Sequence, residues 1–167
     1  MSNPTISRDI VHTLSEACGN DPDAFQSIAN RISKEQRRLF RHVEAEFAEK
    51  DPVSGQVALY MMSVCVRVIE QQSGRLTKVN QDSINAATKS VRGQLASVLP
   101  VDDGFAERAK SANRAQPHLL DEVLWALYER EETDMLPEEA QIDPKKSAMI
   151  YIMLWIAVEA LNGHWKA

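Results

Sequence analysis

The chain is poor in the residues that punctuate strand-rich folds and build most catalytic sites. It holds 6 glycines and 7 prolines in 167 residues. So few turn formers argue against many short strands and favour long helices. Its two cysteines, Cys18 and Cys65, lie far apart and form no Cys-x-x-Cys. That excludes a disulfide framework and a cysteine zinc site, and reads as two small buried apolar side chains in a reducing compartment. The four histidines, His12, His42, His118 and His164, include no Glu-x-x-His or His-x-x-x-His spacing, which removes the usual di-iron and zinc signatures. His42 and Glu46 form only an isolated pair one turn apart. There is no Gly-x-Ser-x-Gly elbow, no Walker loop and no Asp-x-Asp-x-Asp-Gly calcium loop. The sequence therefore calls for no cofactor and no metal, and it leans away from catalysis.

Export and membrane signals are also missing. The start, MSNPTISRDI, is not a basic segment followed by an apolar one. The nearly uncharged apolar runs at 57–66 and 148–158 fall short of the roughly 20 residues a bilayer span needs. The expectation is a cytoplasmic protein that does not enter a membrane.

What is present is helical periodicity. Hydrophobic residues make up 44% and charged residues 26%, a globular balance. Ser7 opens a first helix carrying Ile10, Val11 and Leu14, ended by Gly19 to Asp21. Pro22 opens a second with Phe25, Ile28 and Ile32. Ser33 and Gln36 form a capping-box pattern, so the chain either restarts there or continues unbroken; Ile32, Leu39, Phe40, Val43 and Phe47 share one stripe. Asp51 and Pro52 break the pattern. Residues 57–72 are apolar nearly all round, with Gln56, Ser63, Arg67 and Glu70 on a narrow polar strip. Asn80 or Ser83 caps the next helix, which Pro100 stops. A short, weak helix with Phe105 and Ala109 follows, then a stronger one from Pro117 that fades after Leu127. Asp143 and Pro144 begin the last helix, greasy up to Gly163. The prediction is one all-α domain over 1–167, an irregular or orthogonal bundle of six to eight helices with two central apolar ones, 57–72 and 143–162.

Charge is unevenly distributed. Of the net −5, the segment 121–143 carries nine acids and one base, −8, which leaves +3 for the rest. Arg31, Lys34, Arg37, Arg38 and Arg41, with His42, gather on the side opposite the apolar stripe. Such a face holds phosphates or an acidic partner, or is a solvated surface paired with acids such as Glu35, Glu49 and the 121–143 segment. No aromatic interleaves with it, which disfavours nucleic acid.

The last helix has one polar-capable side: Tyr151, Trp155, Glu159 and Asn162. Arg67 is the conspicuous charge of the other greasy helix. Three arrangements are open: Arg67 and Glu159 pair across the core, the two line a small-molecule pocket with Tyr151 and Trp155, or the stripe is an exposed helix edge and Arg67 bonds Glu70. Trp125 lies off the stripe of its helix and either packs in a second layer or anchors a partner. The leading expectation is a helical interaction or regulatory domain acting on a protein partner or on a second copy as a homodimer. A small-molecule-binding or enzymatic domain around Glu159 and Arg67 is the alternative, and phosphate or nucleic-acid binding through Arg31 to Arg41 is the third.

Overall fold

A computed structural model describes residues 3–129 and 143–165. Among these it contains eight α-helices and no strand: α1 (Arg8–Asn20), α2 (Pro22–Glu35), α3 (Arg37–Phe47), α4 (Pro52–Ser73), α5 (Gln81–Val98), α6 (Phe105–Lys110), α7 (Pro117–Leu124) and α8 (Pro144–Asn162). A π-helical turn, Trp125–Glu129, extends α7.

The helix starts follow capping chemistry. Asp21, Asp51, Asn80 and Asp143 each accept a backbone N–H of the first turn, satisfying a donor that the helix itself leaves unpaired. Three of the four precede a proline at the first helical position, where the missing N–H is not needed. This corrects the reading of Asp51 and Pro52 as a break before residue 57: together they are the start of α4. The Ser33 capping box does not form, because Ser33 Oγ donates to the Asn30 carbonyl instead. The chain breaks at Gln36, whose backbone (φ −111°, ψ 43°) separates α2 from α3.

α8 is the centre of the fold. It buries 12 of its 19 residues, too many for one face, so neighbours must surround it. It packs on α4 and α5, and α4 in turn receives α1, α2 and α3. One connected core of buried residues draws on all eight helices, among them Val11, Ile32, Leu39, Ile69, Ile84, Phe105, Leu120 and Leu154. Each such fully buried side chain contributes about 1.5–3 kcal/mol. Gly55 allows α3 and α4 to approach closely, since a Cβ there would meet Phe47 Cβ at 3.0 Å. α4 is long and apolar enough to cross a bilayer by length and composition alone, although its purely apolar run is shorter. Half of that stretch is buried against the other helices.

The connector between α4 and α5 is pinned from two sides. On one side the buried amide of Gln36 donates to the Thr77 carbonyl at 2.9 Å and accepts from the Val79 N–H at 3.0 Å. On the other, the Thr77 N–H donates to the His164 carbonyl at 2.9 Å. The His164 ring lies between two hydroxyls, Thr77 Oγ1 on Nδ1 and Ser83 Oγ on Nε2, each at 2.9 Å. Thr77 Oγ1 also reaches the His164 carbonyl. Burial lowers the His164 pKa from 6.5, so the unfolded chain takes up this proton first. The contribution to stability is full above pH 6.5 and is lost as pH falls through the folded-state pKa. Urea midpoints at pH 7.5 and pH 5 should therefore differ less in His164→Gln than in the native chain. An unchanged difference would remove His164 as a source of acid sensitivity.

Candidate functional site

The basic face spans the Gln36 break and borders a cleft whose other wall is the α4–α5 connector. α2 ends with Lys34 and Glu35, α3 carries Arg37, Arg38, Arg41 and His42, and the pinned connector places Lys78 opposite them. These residues line a cleft of about 720 Å³. Five full cations thus face a space containing one carboxylate, Glu35. Glu35 is already engaged, at 2.8 Å from Arg31 and 3.7 Å from Arg75. Among the described residues, none of Lys34, Arg37, Arg38, Arg41 or Lys78 makes an ion pair or side-chain hydrogen bond.

Arg31 belongs elsewhere. Its guanidinium donates to both oxygens of buried Glu70 in α4, at 2.8 and 2.9 Å. These hydrogen bonds raise its already high pKa. Arg31 thus ties α2 to α4, and the cleft runs from Lys34 to His42 with Lys78 added. Among the described residues Arg31 pairs with Glu35 and Glu70, and Lys34, Arg37, Arg38 and Arg41 pair with no described acid; most of the acidic segment, 130–142, lies outside the described residues.

The acids of 121–143 that lie within the described residues are taken up inside the fold. Asp121 binds Arg114 at 2.7 Å. Glu122 binds Arg8 at 3.2 Å and His12 at 2.9 Å. Glu129 reaches Lys110 at 3.3 Å, and Asp143 caps α8. Glu131, Glu132, Asp134, Glu138 and Glu139 lie outside the described residues.

The polar stripe of α8 is not an exposed edge. Tyr151 and Trp155 are fully buried, with ring centroids 6.0 Å apart, and Phe105 stands edge-on to Tyr151. The stripe receives residues 111–116. Buried Arg114 reaches Tyr151 Oη at 3.4 Å and donates to the Lys110 carbonyl at 2.8 Å. The Ala115 N–H donates to Glu159 Oε1 at 2.8 Å. Burial pushes the Tyr151 hydroxyl up to about 12, so it stays protonated. Among the described residues Trp155 Nε1 and Arg114 Nε have no hydrogen-bond partner.

Arg67 and Glu159 do not pair. Arg67 lies 3.9 Å from Glu70. With its amide turned toward the guanidinium, Gln71 accepts from Arg67 Nη2 at 2.7 Å. Arg67 faces α1 and α2, whereas Glu159 faces the 111–116 segment. Each greasy helix carries its charge on a side away from the other. Trp125, in the π turn, is half-buried with its ring edge-on to His12 at 5.4 Å. Among the described residues no group of three or more metal-capable side chains exists.

Two positions of the candidate site escape sequence reasoning. Lys78 sits in an irregular connector, where no periodicity assigns it a face. Gln36 did leave a signal: it is a polar residue on the stripe of Ile32, Phe40 and Val43, the pattern of a buried amide with backbone to satisfy. Compared with known proteins, the chain matches no family model, no curated sequence and no solved structure.

Proposed function

We propose that this protein is a helical interaction domain that docks an acidic protein segment in the cleft between α3 and the α4–α5 connector. The supporting observation is the set of five cations lining one cleft, none of them paired with a carboxylate among the described residues. Like charges held together in a concavity repel, and an incoming acidic chain relieves that repulsion while its encounter is steered by the field. Arginine adds forked donors that match carboxylate geometry.

The cleft suits an acidic polypeptide better than a nucleic acid. Among the described residues no Phe, Tyr or Trp lines it to stack a base, His42 being its one ring, and the chain as a whole is net negative at −5, which opposes a long polyanion. The test is a fluorescence-anisotropy titration with a labelled glutamate-rich peptide of about eight residues. Affinity should fall steeply between low and moderate salt. Combined Arg37→Ala, Arg38→Ala and Arg41→Ala should weaken binding about tenfold or more, at roughly 0.5 kcal/mol for each exposed charge, with an unchanged melting temperature. Equal peptide binding by the triple variant would sink the proposal. Tighter binding of a single-stranded oligonucleotide of equal charge would move the assignment to nucleic acid.

A further inference from the structure

A second pocket shares no lining residue with the cationic cleft. We infer that it binds a monocarboxylate with a short apolar tail, the carboxylate seated on Arg67 and the tail between α1 and α2.

The pocket holds about 220 Å³ between α1, α2 and α4. Leu14, Phe25 and Ile28 give it apolar walls, and Arg67 stands at its α4 side. Arg67 keeps 30% of its side chain exposed at the border of this pocket, and its ion pair with Glu70 is a long one because Glu70 is shared. Arg31 binds both oxygens of Glu70 at 2.8 and 2.9 Å, leaving Arg67 at 3.9 Å. Its close partner, Gln71, is a neutral amide. An incoming carboxylate supplies the charge-assisted fork that Gln71 cannot.

Asp21 also borders the pocket, and its Oδ1 is tied to the Ala24 N–H as the cap of α2. A fixed acid there repels a second anionic group, so the ligand is a monoanion. The pocket, about 220 Å³, is smaller than the roughly 300–1,000 Å³ of drug-sized ligand sites, so a short-chain acid such as hexanoate is the probe.

Cys18 lines the same pocket and supplies a reporter. Burial raises its pKa and the charge of Arg67, which lines the same pocket, opposes the rise. Cys65 is fully enclosed and its thiol is pushed up to about 12, so it serves as the unreactive internal control. The experiment follows alkylation of Cys18 by iodoacetamide, read by mass spectrometry of its peptide, in the full chain with added hexanoate or 1-hexanol. Hexanoate should protect Cys18 saturably, at about tenfold lower concentration than hexanol, the ratio that one charge-assisted hydrogen bond provides. Arg67→Met should remove that preference and Arg67→Lys should retain part of it. Absence of protection by hexanoate, or equal protection by hexanol, overturns the inference on the native chain alone, without reliance on any variant folding. A hexanoate preference surviving in a folded Arg67→Met chain overturns the assignment to Arg67.

Discussion

Arg114→Met is expected to lose about 3 kcal/mol of unfolding free energy, which at this chain length lowers the melting temperature by about 6–12 °C. The Arg114 side chain is 2% exposed and holds Asp121 at 2.7 Å, while Asp121 retains 21% of its side-chain surface in water. Removing one partner of a buried pair leaves the other charge without compensation, which costs about 3–5 kcal/mol when both are dry. The partial exposure of Asp121 sets the low end of that range. The same substitution strips the Lys110 carbonyl of its donor and leaves Tyr151 Oη without its guanidinium neighbour. Arg114→Met with Asp121→Asn should recover about 1–2 kcal/mol of the loss, because no orphaned carboxylate remains. Urea denaturation of the two variants measures this. A loss below 1 kcal/mol for the single substitution would mean that solvent reaches the Arg114 site.

Gln36→Ala is the second large effect, with two readouts. Truncation leaves the Val79 N–H, in a buried setting, without an acceptor and the Thr77 carbonyl without a donor. An unsatisfied buried backbone group costs about 1–3 kcal/mol, so the expected total is about 2–4 kcal/mol once the small cavity is included. The second readout is the cleft. Released from Gln36, the connector no longer fixes Lys78 opposite α3, and binding of the glutamate-rich peptide should weaken severalfold although no cation has been removed. Gln36→Glu separates the two contacts, since a carboxylate still accepts from Val79 but cannot donate to Thr77. Peptide affinity unchanged in a destabilised Gln36→Ala chain would show that Lys78 takes no part in docking.

The sequence made the architecture readable wherever burial imposes a period. α8 announces itself because only Lys145, Lys146 and Glu159 among its residues are charged; such a helix has to be enclosed. The caps Ser7, Asn80 and Asp143 are local chemistry, and local chemistry is what a sequence shows directly. What could not be read is the set of contacts made across long stretches of chain by residues in connectors. Gln36 meets partners 41 and 43 residues away, and Arg114 meets Tyr151 37 residues away. The pairing of Arg67 with Glu159 failed for a related reason. A helical wheel gives angles around one helix, but the direction in which a second helix lies is set by packing. For the cationic face, the residue types were legible and the shape was not, because the other wall of the cleft is the irregular α4–α5 connector.

The double pinning of the α4–α5 connector also bears on how the molecule assembles. Its attachments to Gln36 and to His164 join residues 41 to 87 positions apart, so each closes a long loop. Loop closure of that kind is paid before any contact rewards it. The connector therefore reaches its final path only after the α2–α3 junction and the end of α8 have both arrived. Leu76 and Val79 then seat it in the core. The wall of the cleft that carries Lys78 is therefore late to form. A partner that bridges this wall to α3 would slow its opening, and would register as slowed amide hydrogen exchange at Thr77 and Val79.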